Sequence, residues 1–242
     1  MNCHPLPTGG GRLLLSPHET PSSGGGFSFE NEPLTFFDPT QPVTTALHSR
    51  LHLQQGAVPC FVTWRMGDSL SQATLRKWKA EQEEWLRAHP KPWDQKTELN
   101  YLFRYERGIN RRLRQGIGSC PLRDPEIAQI VADALHHFDG ERYELIAYVI
   151  MPNHVHILFR PHPDHSLSKI LHSWKGFTAK KINERLNRKG KLWSDEYHDR
   201  LIREDVHLRN CIRYIRRNPR KARLPHGQYL LWESPIAKQV PD

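Results

Sequence analysis

Two pairs of residues have the types and the spacing to do chemistry. His154 and His156 flank Val155 in a β-rich stretch, His154-Val155-His156-Ile157-Leu158-Phe159. In an extended segment successive side chains point to opposite faces, so the two imidazoles share a face with Leu158 while Val155, Ile157 and Phe159 share the other. Side by side, both rings can bind one metal ion through a ring nitrogen. On a chain with 15 histidines the same pattern also fits ordinary half-exposed strand histidines, and the spacing alone does not choose. The second pair, Tyr214 and Asn218, lies in Arg213-Tyr214-Ile215-Arg216-Arg217-Asn218-Pro219, four apart and so on one helix face. A phenol and an amide oxygen pointing the same way make a candidate nucleophile beside a candidate ligand. They are also what an amphipathic helix shows when its C-terminus carries an asparagine before proline.

Cations crowd around both pairs. Arg203, Arg209, Arg213, Arg216, Arg217, Arg220, Lys221 and Arg223 surround the Tyr214 segment, opposed nearby only by Glu204 and Asp205. Such a run is usually a solvated face, yet cations beside a phenol favour its ionised form, which otherwise appears only near pH ~10. A second set, Lys175, Lys180, Lys181, Arg185, Arg188, Lys189 and Lys191, follows the histidine strand with Trp174, Phe177 and Trp193 interleaved. Rings among cations suit single-stranded or hairpin DNA, where bases stack while phosphates are neutralised. Trp174 and Phe177 fit a hydrophobic core equally well. The candidates for DNA contact are Lys175, Lys180, Lys181, Arg203, Arg213, Arg216, Arg217 and Trp193.

These residues need a scaffold, and the chain is long enough for one domain with a genuine core. Residues 1 to about 55 are rich in Gly, Pro, Ser and Thr without a sustained period, and read as a disordered leader. A single catalytic domain with a C-terminal tail is expected over 56–242. Pro59 to Arg65 is β-rich and closed by the turn-prone Gly67-Asp68-Ser69. Leu75, Trp78, Glu81 and Trp85 recur at helical steps between Ser71 and Ala88. Asp124 to Phe138 has Ile127, Ile130, Val131, Ala134 and Leu135 on one face, while His89 to Gly118 shows no clear pattern. Tyr143 to Ile150 and His154 to Phe159 are two strands joined by Met151-Pro152-Asn153. Ser166 caps a helix reaching about Leu186, Tyr197 to Arg203 is a strand, and Asp205 to Asn218 is a helix stopped by Pro219. This order predicts an α+β domain, an antiparallel sheet with helices on one face and the other open for chemistry.

Lys and Arg number 35 against 26 for Asp and Glu, and the net charge of +9 favours a polyanionic partner. The four cysteines lie far apart without a Cys-x-x-Cys pair, so neither a zinc knuckle nor a disulfide framework is indicated. No apolar run approaches the roughly 18 residues that would cross a bilayer, and no signal-peptide pattern opens the chain. A cytoplasmic protein that binds no membrane, as monomer or homodimer, is expected.

Several motifs in one order carry a resemblance: Met151-Pro152-Asn153-His154-Val155-His156, Ser173-Trp174-Lys175-Gly176-Phe177-Thr178-Ala179, Gly190-Lys191-Leu192-Trp193, Asp199-Arg200-Leu201-Ile202-Arg203 and Tyr214-Ile215-Arg216-Arg217-Asn218-Pro219. With Phe61-Val62-Thr63-Trp64-Arg65 at the start, this resembles the HUH single-tyrosine transposases, and most of all the REP-associated tyrosine transposases, from about Val58 to about Leu224. The resemblance implies a ferredoxin-like sheet with the histidines on a central strand and the tyrosine on a C-terminal helix. It implies that His154, His156 and Asn218 bind Mg2+ or Mn2+, that Tyr214 is the nucleophile, and that DNA is cut and rejoined through a 5'-phosphotyrosine link. A relative that grips DNA hairpins without cutting is the competing expectation. Family members often read Asn-Pro-Val-Lys-Ala-Gly-Leu where this chain has Asn218-Pro219-Arg220-Lys221-Ala222-Arg223-Leu224, so the turn after the tyrosine helix is expected to differ. The glycine pair Gly116-Ile117-Gly118 lacks the aspartate commonly seen near it.

Overall fold

The computed structural model describes residues 28–29, 32–47, 51–90, 95–101, 104–105 and 107–242. Two short hairpins come first, β1 (Ser28–Phe29) with β2 (Glu32–Pro33) and β3 (Thr44–Leu47) with β4 (Leu51–Gln54). Residues 1–27, 30–31 and 48–50 of the expected leader lie outside the described residues; the described part holds short strands and packed residues. Leu34 is 7% exposed and belongs to a core cluster, with Phe36 packed against it. The Phe37 amide donates to the Ile202 carbonyl at 2.9 Å, and the buried Gln55 side chain accepts from the Asp38 amide at 2.8 Å. The apolar residues of Leu34-Thr35-Phe36-Phe37 have somewhere to go, and composition alone masks this.

The central sheet is built from β5 (Cys60–Met66), β6 (Tyr143–Met151), β7 (His154–Pro161), β8 (Trp193–Leu201) and β9 (Leu230–Glu233). Its order is β8-β5-β7-β6-β9, and every pairing is antiparallel. Between these strands run α1 (Gln72–Ala88), α2 (Gln95–Tyr101), α3 (Arg107–Leu113), α4 (Pro125–His136), α5 (Leu167–Arg185), α6 (Asp205–Lys221) and α7 (Pro235–Lys238). The succession β5, α4, β6, β7, α5, β8 with the order β8-β5-β7-β6 is the ferredoxin-like arrangement. Helices α1 to α3 are inserted after its first strand, and β9 is added at its edge.

Local chemistry sets the helix starts. Ser71, Asp124 and Ser166 cap α1, α4 and α5, accepting from the amides of Thr74, Glu126 and Lys169. Alternation along the strands then sorts the core into two layers. Val62, Trp64, Val155, Ile157 and Phe159 pack with Ile127, Val131 and Leu135 of α4 and Ile170, Leu171 and Trp174 of α5. Phe61, Val149, Met151 and Leu158, on the opposite side, pack with Leu208, Cys211, Ile212 and Ile215 of α6 and with Ile236 of α7. The second face, expected to be open, is therefore covered by the helix that carries Tyr214.

Three boundaries differ from expectation. Strand β8 starts at Trp193, because Met66 of β5 pairs with Trp193 beyond a register shift. Helix α6 continues through Pro219 to Lys221: proline in the last turn removes one backbone donor without ending the helix. The expected C-terminal tail is part of the domain, since β9 pairs with β6 and Ile236, Ala237 and Val240 are buried. The patternless stretch from His89 to Gly118 contains α2 and α3. Tyr101 of α2, Tyr105 between the two, and Ile109 and Leu113 of α3 close a third cluster with Trp78 of α1.

Candidate active site

Strand register assembles the site. Met151 pairs with His154 across the two-residue turn Pro152-Asn153, and His156 lies opposite Thr63 of β5 and Val149 of β6. His154 and His156 point to the α6 face, both 0% exposed, with ring centroids 4.7 Å apart. Tyr214, half-buried, lies with its ring 5.2 Å from His156 and 5.7 Å from Phe61, and Phe61 stacks on His156 at 5.7 Å. One helical turn on from Tyr214, Asn218 is 0% exposed and donates from Nδ2 to the Tyr214 carbonyl at 3.1 Å. The two pairs singled out by spacing therefore meet in one place, with β7 supplying the imidazoles and α6 the phenol and amide.

Burial fixes the charge state of the rings. It pulls the His154 imidazole down to about 3 and His156 well below the usual histidine range. The positive charge of Arg114 acts on both in the same direction, and His154 and Arg200 add to it at His156. Both rings are thus neutral, as a ligand must be. The Nδ1 atom of each has a partner, Asn153 Oδ1 at 2.7 Å for His154 and Thr63 Oγ1 at 2.6 Å for His156. The Nε2 atoms of both, and Asn218 Oδ1, are buried without a hydrogen-bond partner among the described residues. A buried polar atom left unpaired costs roughly 1–3 kcal/mol, so three at one site are unusual, and they are atoms of metal-ligand type. Two imidazole nitrogens and an amide oxygen fit a divalent cation. No cluster of three His, Cys, Asp or Glu suited to a metal is found among the described residues.

Cations flank the phenol. Lys221 Nζ lies 5.6 Å from the Tyr214 ring centroid, and the Arg200 guanidinium lies 5.4 Å from that of Phe61. Arg217 is half-buried three residues after Tyr214, its Nε without a hydrogen bond among the described residues. A small cleft lined by Phe61, Thr63, Asn110, Asp199 and Arg200 opens beside the site. Glu196 of β8 is paired with Lys79 of α1 at 2.8 Å.

The other candidates for DNA contact separate into groups. Trp193 is 4% exposed, donates from Nε1 to Thr178 Oγ1 at 2.9 Å and meets Trp64 edge-on, so it is a core residue with no face left for a base. Trp174 is likewise core, bonded to the Tyr143 hydroxyl at 2.9 Å, whereas Phe177 is 51% exposed. Arg216 holds the C-terminus, donating to Glu233 Oε1 at 3.0 Å, the Ala237 and Val240 carbonyls at 3.1 and 2.8 Å, and Asp242 Oδ1 at 2.9 Å. Arg213 Nε donates to the Pro241 carbonyl at 2.9 Å. Lys175 Nζ donates to the carbonyls of Ser194 and Asp195, and burial pulls its pKa down to about 8. Lys180, Lys181 and Arg203 are exposed, the lysines on α5 and therefore across the sheet from Tyr214. Position in a basic run does not distinguish a cation that holds its own fold from one that faces solvent.

Comparison with known proteins adds an independent line. Residues 123–218 match the family model Y1_Tnp, transposase IS200 like. The matched segment runs from the start of α4 to Asn218 and so contains both histidines, the tyrosine and the amide. Most of the motifs that carry the resemblance fall within it, whereas Phe61-Val62-Thr63-Trp64-Arg65 lies outside. Among solved structures, the chain is 16% identical to a REP-associated tyrosine transposase bound to a REP hairpin, covering 69% of each chain with a TM-score of 0.39. It is also 16% identical to a candidate transposase from Deinococcus radiodurans R1, covering 66% of this chain and 90% of that one with a TM-score of 0.31. No curated protein matches.

Sequence reasoning missed Thr63, Asn153, Arg114 and Phe61 as parts of the site, and named Lys221 only within the basic run around Tyr214. Thr63 and Phe61 follow from strand register, which a single sequence does not provide. Lys221 shares a helical stripe with Tyr214 and Asn218 and was visible in the spacing. The missing aspartate near the glycine pair has a counterpart in space: Asp68 Oδ2 accepts from the Ser119 amide at 2.9 Å. Gly118, at φ +100°, lies against Asp68 so closely that a Cβ there would stand 2.8 Å from its carbonyl oxygen. Among the described residues, no helix is long and apolar enough to cross a membrane.

Proposed function

We propose that the protein is a single-strand DNA transposase that cuts and rejoins DNA through Tyr214. The observation that carries this reading is the convergence of Tyr214 on two neutral imidazoles and an amide whose three ligand-type atoms are buried without hydrogen bonds. In the cleavage step the Tyr214 hydroxyl oxygen bonds to the scissile phosphorus and the bond from phosphorus to the 3' oxygen breaks. The phenol proton leaves and the 3' oxygen gains one, giving a 5'-phosphotyrosine and a free 3'-hydroxyl. Attack by a 3'-hydroxyl on that link reverses the step and rejoins the strand. The link keeps the energy of the phosphodiester, so no other energy source is needed.

His154, His156 and Asn218 would hold Mg2+ or Mn2+, which supplies positive charge next to the phosphodiester oxygens. Lys221, Arg217 and Arg200 bring further positive charge to the same region, and Phe61 fixes the Tyr214 ring from the side. The net charge of +9 and the exposed lysines of α5 support a DNA partner, as does the family match. A hairpin as the bound form is supported by the chain's resemblance to the REP-associated tyrosine transposases in its motifs. The test is incubation with end-labelled single-stranded hairpin DNA, with and without Mg2+ or Mn2+, followed by denaturing electrophoresis. A metal-dependent covalent adduct is expected. Salt-sensitive binding without any adduct across a broad hairpin panel would instead make the protein a DNA-binding module.

A further inference from the structure

Asn153 sits at the turn between β6 and β7, where asparagine is commonly used because it tolerates a left-handed backbone. That explanation fails here. Among the described residues, those with positive φ other than glycine are Cys120, Asn187 and Arg223, so the backbone of Asn153 makes no such demand. Its side chain is 0% exposed and fully engaged: Nδ2 donates to the Ile117 carbonyl at 3.0 Å, and Oδ1 faces His154 Nδ1 at 2.7 Å.

These two contacts fix the direction of every bond. A carbonyl only accepts, so the amide nitrogen must be the end that faces Ile117, and the oxygen must face His154. An amide oxygen also only accepts, so the proton must be on His154 Nδ1. A neutral imidazole carries one N–H, which leaves the lone pair on Nε2. A proton on Nε2 would be doubly unfavourable, since that atom is buried without a hydrogen-bond partner and Nδ1 would then face Asn153 Oδ1 lone pair to lone pair. The neighbouring ring is held differently. Thr63 Oγ1 can donate or accept, so its 2.6 Å contact with His156 Nδ1 permits either tautomer.

We propose that Asn153 is a positioning residue that locks His154 in the Nδ1–H tautomer and so aims a permanent lone pair from Nε2 into the site. The lock is anchored outside the strands, because Asn153 takes its own orientation from the Ile117 carbonyl in the loop between α3 and α4. That loop therefore acts on the site through the Asn153 side chain as well as through the charge of Arg114: a shift of Ile117 frees the amide to turn and the ring to change tautomer. The consequence for metal affinity rests on the function proposed above, whereas the tautomer does not.

The experiment is long-range proton–nitrogen NMR of the histidine rings in the metal-free full chain, paired with Mn2+ titration by calorimetry. In the wild type the His154 ring should show protonated Nδ1 and unprotonated Nε2. In Asn153→Ala the Nε2–H form should appear and Mn2+ affinity fall by about 10–100-fold. An Nε2–H ring in the wild type overturns the lock whatever the variant does, as does an unchanged ring and unchanged Mn2+ affinity in folded Asn153→Ala. A wild type with the Nδ1–H ring that binds no Mn2+ supports the lock and instead contradicts the metal site of the proposed function.

Discussion

Replacing Arg223 with glycine should stabilise the protein. Arg223 follows the tyrosine helix α6 at φ +54°, in the left-handed region that a side chain disfavours. Its amide donates to the Arg220 carbonyl and the Leu224 amide to the Pro219 carbonyl, both at 3.0 Å, the paired bonds of a Schellman cap whose C' residue is usually glycine. Arginine thus stands at a position where helix ends usually carry glycine. Left-handed backbone costs a residue with a Cβ about 1–2 kcal/mol. Glycine would remove that cost but lose about 0.5–1 kcal/mol to its freer unfolded chain, for a net gain of about 0.5–1 kcal/mol. The side chain is exposed, so little packing is lost. For a chain of this size the gain corresponds to a Tm higher by roughly 1–4 °C, measurable by calorimetry or circular dichroism. Arg223→Ala removes the same charge but keeps the Cβ, and should show no such rise. Equal stability of the glycine and alanine variants would refute the backbone argument.

Other perturbations separate the roles assigned to neighbouring residues. Trp193→Ala should cost about 3–5 kcal/mol in denaturant unfolding, as expected of a core ring, and a stable variant with selectively weakened DNA binding would contradict that placement. Lys180→Ala combined with Lys181→Ala should weaken DNA binding for all sequences and lower the slope of log K against log salt by roughly 2, with unfolding unchanged; an unaltered slope would exclude these lysines from the interface. Burial raises the Glu144 carboxyl, but the Arg160 guanidinium, with Nη2 at 2.8 Å, outweighs it and holds the pKa below the usual value. A lowered folded pKa contributes stability above the unfolded pKa that is lost as pH falls through the folded one. Glu144→Gln should therefore cost about 1–3 kcal/mol at neutral pH, and the difference from wild type should shrink as the pH falls through the lowered folded pKa; a difference that persists in strong acid would point to packing instead.

How much of this was legible in the sequence depended on which interactions carried the signal. Periodicity placed α1 and α4, and the Ser166 cap placed α5, because those features are local: Ser166 accepts from an amide three residues on. His-x-His and Tyr-x-x-x-Asn were readable for the same reason. Meeting of the two pairs was not, since it depends on α6 crossing the sheet face that alternation alone leaves empty. Trp193 and Arg216 were misjudged for want of partners far along the chain, Thr178 and Trp64 for one, and Glu233, Ala237, Val240 and Asp242 for the other. The segment around Leu34 was hidden by a Gly, Pro and Ser-rich context, although its few apolar residues suffice to join a core built by residues 100 or more positions away.

The central claim is that Tyr214 forms the bond to DNA, and mass spectrometry of the trapped adduct tests it most directly. The protein is incubated with hairpin single-stranded DNA and Mn2+, digested with protease and nuclease, and searched for the residue that retains a nucleotide. The account requires that nucleotide on the peptide containing Tyr214 and no adduct from Tyr214→Phe, which should still bind the same DNA. Attachment at any other residue, or an adduct that survives in Tyr214→Phe, would contradict it.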